Sequence, residues 1–372
     1  MSDVRTVGFT EELAALEEVL RVGVLSGESP IVEAYEEALS SFFGTRFAIA
    51  TSSGTGAIHS ALIAVGVERG SEVLVPALAP LPTVLPVLTV GAIPVPVDVH
   101  KDHLGFDLAS LTRRITPRTR AALCVALWGY PLDLIPSIEV LERHGVPLIE
   151  DACQAHGATA GGRLIGTIGK IGCFSTNQQK LLSTGEGGFV LTDDPGAAEQ
   201  VRRFSRLGRL DGHHHGTNYL LSALPAALGR CRLRSLPETL RCKRENARAF
   251  LAAMTSQHLE HLRAAALGEP NFYSLVLKAD LPQASAGALT AQLLQHGLPS
   301  DKQRFGFDVL YRRPMFASLR APCPNAERLV DTALQIPCHS GTCVARMEDL
   351  AAVVSELADA AASVPRDRRW VL

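Results

Sequence analysis

Between about residues 45 and 195, short β-branched or apolar runs alternate with stretches of helical periodicity, and few folds accept that order. The strand-like runs are Phe47–Thr51, Val73–Pro76, Ile93–Asp98, Ala121–Leu127, Pro147–Asp151, Gly172–Ser175 and Gly188–Thr192. A strand joined to the next through a helix returns in the same direction, so the pattern predicts an α/β protein with a mostly parallel sheet covered on both faces. Asp133–His144 is one such helix, with Leu134, Ile138 and Leu141 on one stripe and Gly145 at its end. Residues Gly23–Phe43 predict an amino-terminal helix, with Gly27, Pro30 and the acidic Glu33, Glu36 and Glu37 at its entry. After Pro237 the texture changes to a long polar helix, Glu238 to about Met254, and then to strand-like pieces such as Phe272–Leu277. At 372 residues, 47% of them hydrophobic, the chain is expected to divide into a large domain, 1–240, and a smaller α+β domain, 241–372.

Several function classes are excluded on simple grounds. Val73–Val97 runs for twenty-five residues without a charge, long enough to cross a bilayer. Six prolines interrupt it (Pro76, Pro80, Pro82, Pro86, Pro94 and Pro96), each removing a backbone donor, so strand, short helix and strand is the expectation. The net charge is −2 with the two signs intermingled, which argues against nucleic acid as a partner. Eight dispersed cysteines without a CxxC pair, and an amino terminus without leader character, fit a reducing cytoplasm. His213–His215 lie in a Gly-flanked stretch and are expected to be solvated, with no metal.

Three segments carry chemistry. The chain has only six lysines against thirty arginines. Lys101, Lys243, Lys278 and Lys302 fall in settings expected to be ordinary and solvated. Lys180 instead follows Phe174-Ser175-Thr176-Asn177 and precedes the turn Ser183-Thr184-Gly185-Glu186-Gly187-Gly188. A Schiff-base lysine needs such a fixed backbone and a partly desolvated amine that can lose its proton. Asp151 closes an apolar strand, where a carboxylate faces the ligand crevice of an open α/β sheet. It suits a pyridine nitrogen that must stay protonated, although in isolation it reads equally as the cap of a following helix. Thr51-Ser52-Ser53-Gly54-Thr55-Gly56 joins a strand to a helix with residues small enough for backbone amides to approach a phosphate. His59 stands where a dinucleotide fingerprint would need its third glycine, which rejects a nicotinamide oxidoreductase.

Taken with their order, these segments resemble the DegT/StrS family of pyridoxal-phosphate (PLP) sugar and cyclitol aminotransferases. The resemblance runs through "SGESPIVEAYEEAL", "SSGTGAIHSAL", "GAIPVPVDV", "EDACQAHGA", "FSTNQQKLLSTGEGGFVLTDD" and "TNYLLSALPAALG". It implies the fold-type-I architecture, PLP held by Lys180, and Asp151 against the pyridine nitrogen. It implies further that Gln154 lies near the cofactor ring and that Gly54, Thr55 and Ser175 hold the phosphate. Asn218 would reach that phosphate from the second subunit of a homodimer. His156, placed after a possible helix-capping segment, reads from its position alone as a residue that fixes the local backbone. The implied reaction moves an amino group from an amino acid donor, glutamate or glutamine, to a cyclic ketone, either a nucleotide-linked keto-sugar or a cyclitol. A sugar dehydratase, an aromatizing synthase and a non-catalytic binding protein of the same fold are the alternatives. The arginines of Arg202–Arg209 and Arg230–Arg244 are candidates for a diphosphate contact. The chain departs from the family at Leu78-Ala79-Pro80-Leu81-Pro82, where relatives carry an aromatic residue, at Ala126 beside Trp128, where they carry histidine, and at Leu220, where they carry arginine.

Overall fold

The structure, a computed structural model, describes residues 9–265, 268–319 and 321–363. The outer ends of both expected domains, 1–8 and 364–372, lie outside the described residues. Strands β1 (Phe47–Thr51), β2 (Glu72–Pro76), β3 (Ile93–Val97), β4 (Thr119–Val125) and β5 (Leu148–Asp151) are followed by a two-residue hairpin, β6 (Thr159–Ala160) and β7 (Arg163–Leu164). Strands β8 (Ile171–Ser175) and β9 (Gly188–Thr192) complete a seven-stranded sheet of order β1-β9-β8-β5-β4-β2-β3. The β3/β2, β2/β4, β4/β5 and β5/β8 pairs are parallel, while β9 runs antiparallel to β1 and β8. Every residue of β2, β5, β8 and β9 is buried. Such strands have both faces covered, which is why their sequences are mainly apolar, with charged residues only at strand ends, Glu72 in β2 and Glu150 and Asp151 in β5.

All seven expected strands form, with shifts of one or two residues at some ends. Residues 73–97 fold as β2, helix α4 (Leu81–Thr89) and β3, and among the described residues no helix is long and apolar enough to cross a membrane. The amino-terminal region differs from expectation. It forms two helices, α1 (Phe9–Val22) and α2 (Pro30–Phe43), because Gly23 takes φ +76° and Ser29 then caps α2 through Ile31 N. Helix α3 (Gly54–Ala64) lies against the sheet, and α5 (Leu108–Arg114), α6 (Ile135–Glu142), α7 (Pro195–Ser205) and α8 (Ala223–Leu233) complete the surrounding layers.

Helix α9 (Leu236–Ala253) leads to a three-stranded antiparallel sheet, β10 (Leu259–His261), β11 (Leu275–Ala279) and β12 (Ala333–Ile336). Helices α10 (Gln283–Gln295), α11 (Asp301–Phe305), α12 (Pro324–Thr332) and α13 (Val344–Ala362) accompany it. The expectation of a solvated Lys243 is overturned. Its side chain is 1% exposed within α9, and its ammonium donates to the Cys338 carbonyl. The long stem is buried where α9 meets the 338–342 segment, whose carbonyls at His339 and Thr342 also accept from Asn246.

Candidate active site

The carboxyl ends of β4, β5 and β8 open onto a crevice of about 1250 Å³ that gathers residues from both sheets. Such ends are where open α/β sheets bind ligands. Gly54, Thr55, Asp151, Gln154, Ser175 and Lys180 all line it. Asn218 does not line it: it is exposed on its own chain, and its Oδ1 accepts from Leu220 N at 3.3 Å.

Glu150 and Asp151 are neighbours with opposite tasks, because successive strand residues point to opposite faces. Glu150 accepts from the amides of Gly166, Ile168 and Gly169 at 2.6–2.7 Å, pinning that loop to the sheet. Burial pushes its carboxyl up, opposed by those amides. Asp151, 5% exposed, accepts from Cys153 N at 3.0 Å on Oδ1 and from the Thr83 hydroxyl at 2.5 Å on Oδ2. No helix follows for it to cap, since residues 152–158 form turns. Both of its partners are neutral, and it has no ion pair among the described residues. A buried carboxylate of this kind suits a cationic ligand group such as a protonated ring nitrogen.

The phosphate end is equally constrained. Ser53 caps α3 by accepting from Gly56 N at 3.0 Å, and its carbonyl takes the Ala57 amide. The amides of Gly54 and Thr55 belong to the first turn, which has no carbonyl partners within a helix. A Cβ at Gly54 would stand 2.7 Å from the Ser175 Cβ and 2.9 Å from the Cys153 Sγ. A Cβ at Gly188 would stand 2.5 Å from the Ser53 carbonyl carbon, which explains the glycine closing the Gly-Glu-Gly-Gly turn. The cradle therefore tolerates only glycine at its closest approaches and fits a phosphate bound by backbone amides.

Lys180 is half-buried in a loop held at several points. Gln178 N donates to Gly185 O, Lys180 N to Asn177 O and Thr184 N to Thr176 O, at 2.7–2.8 Å. Asn177 Nδ2 adds a bond to Glu186 at 2.9 Å. The Lys180 Nζ lies 5.1 Å from the centre of the Tyr273 ring, a residue of the second sheet's region. Gln154 Oε1 accepts from Trp128 N at 2.6 Å and holds that buried tryptophan at φ +57°. His156 is wholly buried against Phe174 and Phe189, and neither ring nitrogen has a partner. Burial first, and then the Lys180 charge, push its pKa down to about 3, so it stays neutral and packs as an aromatic residue.

The crevice is also lined by residues that local sequence did not single out: Thr83, Tyr273, Asp301, Arg304, Arg313 and Gln335. None belongs to a motif, and all but Thr83 come from the last third of the chain. Several of the arginines nominated for an anion are engaged by carboxylates. Arg206 pairs with Glu36 at 2.9 Å, Arg209 with Glu199 at 2.6 Å, Arg232 with Glu12 at 2.8 Å and Arg244 with Glu269 at 3.1 Å. No arginine of 202–209 or 230–244 lines the crevice, and the guanidinium groups that do are Arg304 and Arg313. His213–His215 are exposed, with His214 bonded to Asp211 at 2.7 Å, and no metal cluster occurs among the described residues.

This architecture is that of the fold-type-I PLP aminotransferases. A structure of Streptomyces venezuelae DesV in complex with a ketimine intermediate superposes with a TM-score of 0.86 and 29% identity, covering 94% of this chain and 95% of that one. A profile of the DegT/DnrJ/EryC1/StrS aminotransferase family matches residues 8–357, and the chain belongs to that family. It is 33% identical over 368 residues to the L-glutamine:2-deoxy-scyllo-inosose aminotransferase of Streptomyces kanamyceticus, covering 90% of this chain and 85% of that protein. Over 211 residues it is 40% identical to the dTDP-3-amino-3,4,6-trideoxy-alpha-D-glucose transaminase of Streptomyces venezuelae. That match spans 56% of each protein, so the chain covers little more than half of the transaminase's length.

Proposed function

We propose that this protein is a PLP-dependent aminotransferase that moves an amino group from glutamate or glutamine to a cyclic ketone, a keto-sugar or a cyclitol ketone. The observation that carries the reading is the convergence of Lys180, the buried Asp151 and the Gly54 cradle on one crevice. When bound, the cofactor supplies an electron sink for the carbanion formed next to the transferred nitrogen. Lys180 would hold it covalently and then, once released, carry the proton between the two carbons of the shift. Asp151 would keep the ring nitrogen protonated, oriented by Thr83 and by Cys153 N. Gly54, Thr55 and Ser175 would bind the phosphate, and Gln154 would sit beside the ring while anchoring Trp128. Tyr273 would shield the Lys180 amine from water on the side of the second sheet.

In this reading the enzyme is a cytoplasmic homodimer divided at about residue 240, with Asn218 of each chain completing the other's phosphate site. The exposure of Asn218 on its own chain supports that sharing. The support for a nucleotide-linked acceptor weakens, because the arginines nominated for its diphosphate lie outside the crevice. The test loads the cofactor with L-glutamate or L-glutamine, removes the donor, and asks which ketone restores the starting spectrum while gaining nitrogen by mass. Cyclic polyhydroxy ketones are expected to do so. Restoration by acyclic 2-oxo acids alone would overturn the substrate class.

A further inference from the structure

Besides Asp151 and Glu186, the crevice contains a carboxylate, Asp301, that no motif announced. Asp301 opens α11 and lines the same crevice as Lys180. Its side chain is fixed, because Oδ2 accepts from the Trp128 indole N–H at 2.6 Å. Its backbone amide donates to Gln335 Oε1 at 2.9 Å, and Ser300 and Gln303 close a capping box around the turn. Trp128 is itself held by Gln154 through its amide and by the edge of Phe307, 5.8 Å away. Asp301 is thereby set at a constant place relative to the cofactor side of the pocket. Among the described residues, no donor reaches its Oδ1. Burial pushes its carboxyl up, while Trp128, Arg304 and Lys180 pull it down.

The Oδ1 oxygen faces the open crevice, and a ligand that closes over it must offer a donor in exchange for water, which a ring hydroxyl does. Arg304 and Arg313 also line the crevice, and as donors they cannot hydrogen-bond a hydroxyl's proton. Asp301, held through Trp128, offers an acceptor to such a hydroxyl in a fixed direction. We propose that Asp301 is a specificity residue whose Oδ1 accepts a hydrogen bond from one ring hydroxyl of the acceptor. This rests on the aminotransferase reading and adds to it a residue that selects the acceptor.

The experiment uses the full-length holoenzyme in its amine-loaded form and follows the acceptor half-reaction on the cofactor spectrum. The probes are an inosose and a series of cyclohexanones lacking one hydroxyl at a time, tested on the wild type, D301A and D301N. One ring position is expected at which loss of the hydroxyl costs the wild type roughly 10- to 100-fold in kcat/KM, mainly in KM. The same deletion should cost D301A less than about threefold, since the partner is already gone. D301N, which keeps an acceptor oxygen, should fall between them. A merely structural role would slow every probe alike and leave the position dependence of the wild type intact, and that result overturns the proposal. A wild type that aminates no cyclic ketone fails before any substitution is examined. That outcome removes the functional reading and this inference with it.

Discussion

Thr83→Val isolates the contribution of one hydroxyl to the cofactor site. Thr83 is 1% exposed and sits in α4, the helix that departs from the family's usual aromatic wall. Its Oγ1 donates to Asp151 Oδ2 at 2.5 Å, leaving Asp151 with only the Cys153 amide at 3.0 Å once that donor is removed. Valine keeps the branched shape, so the packing cost is small and the loss is that of one hydrogen bond to a buried charge, about 1.5–3 kcal/mol. At about 1.4 kcal/mol per factor of ten, this corresponds to roughly a 10- to 100-fold combined change in cofactor dissociation constant and kcat. Thr83→Ser retains the donor and should stay within about threefold of the wild type on both measures. Cofactor titration of the apoprotein by absorbance, followed by kcat at saturating cofactor, reads the two parts separately. If Thr83→Val stays within twofold on both, or Thr83→Ser is as damaged as Thr83→Val, Thr83 does not position Asp151.

Borohydride reduction of the yellow holoenzyme should label Lys180, and Lys180→Ala should abolish the label; a tag on any other lysine refutes the assignment. Mixing Lys180→Ala chains with Asn218→Asp chains should restore activity in heterodimers, where one of the two sites is wholly wild type, and proven heterodimers without activity would count against sharing across the interface. His156 has a folded pKa of about 3, below the ordinary value of about 6.5, so from about pH 6.5 down to about pH 3 the unfolded chain binds more protons and stability falls as pH falls. Between pH 7 and pH 5 this one group should remove about 2 kcal/mol, and His156→Phe should lack that part of the pH dependence in urea unfolding. An unchanged pH dependence in the variant would show that His156 is not held neutral.

The order of strands, the placement of α3 after β1 and the identity of the residues at the strand ends were legible in the chain. Periodicity and turn residues act locally, and the rules for parallel crossovers leave few ways to arrange them. Gly54, Asp151 and Lys180 were therefore found as positions before their meeting in space was known. Other features depended on which faces came together. Lys243 has the sequence context of a solvated helix residue, and only the packing of α9 against the 338–342 segment places its ammonium on a carbonyl. Glu150 and Asp151 differ by one position, and the sheet alone assigns one to the loop at 166–169 and the other to the crevice. The arginines of 202–209 and 230–244 form a cationic group in the sequence, yet carboxylates from distant segments, Glu36, Glu12 and Glu269, take up their charges. The remaining lining of the crevice follows the same logic. Thr83, Tyr273, Asp301 and Arg313 are separated by up to 230 residues, and no local preference links them. Gly54, Asp151 and Lys180 sit in contiguous strand-to-turn motifs because backbone geometry builds them, whereas the rest of the crevice exists only where the two sheets' loops face each other.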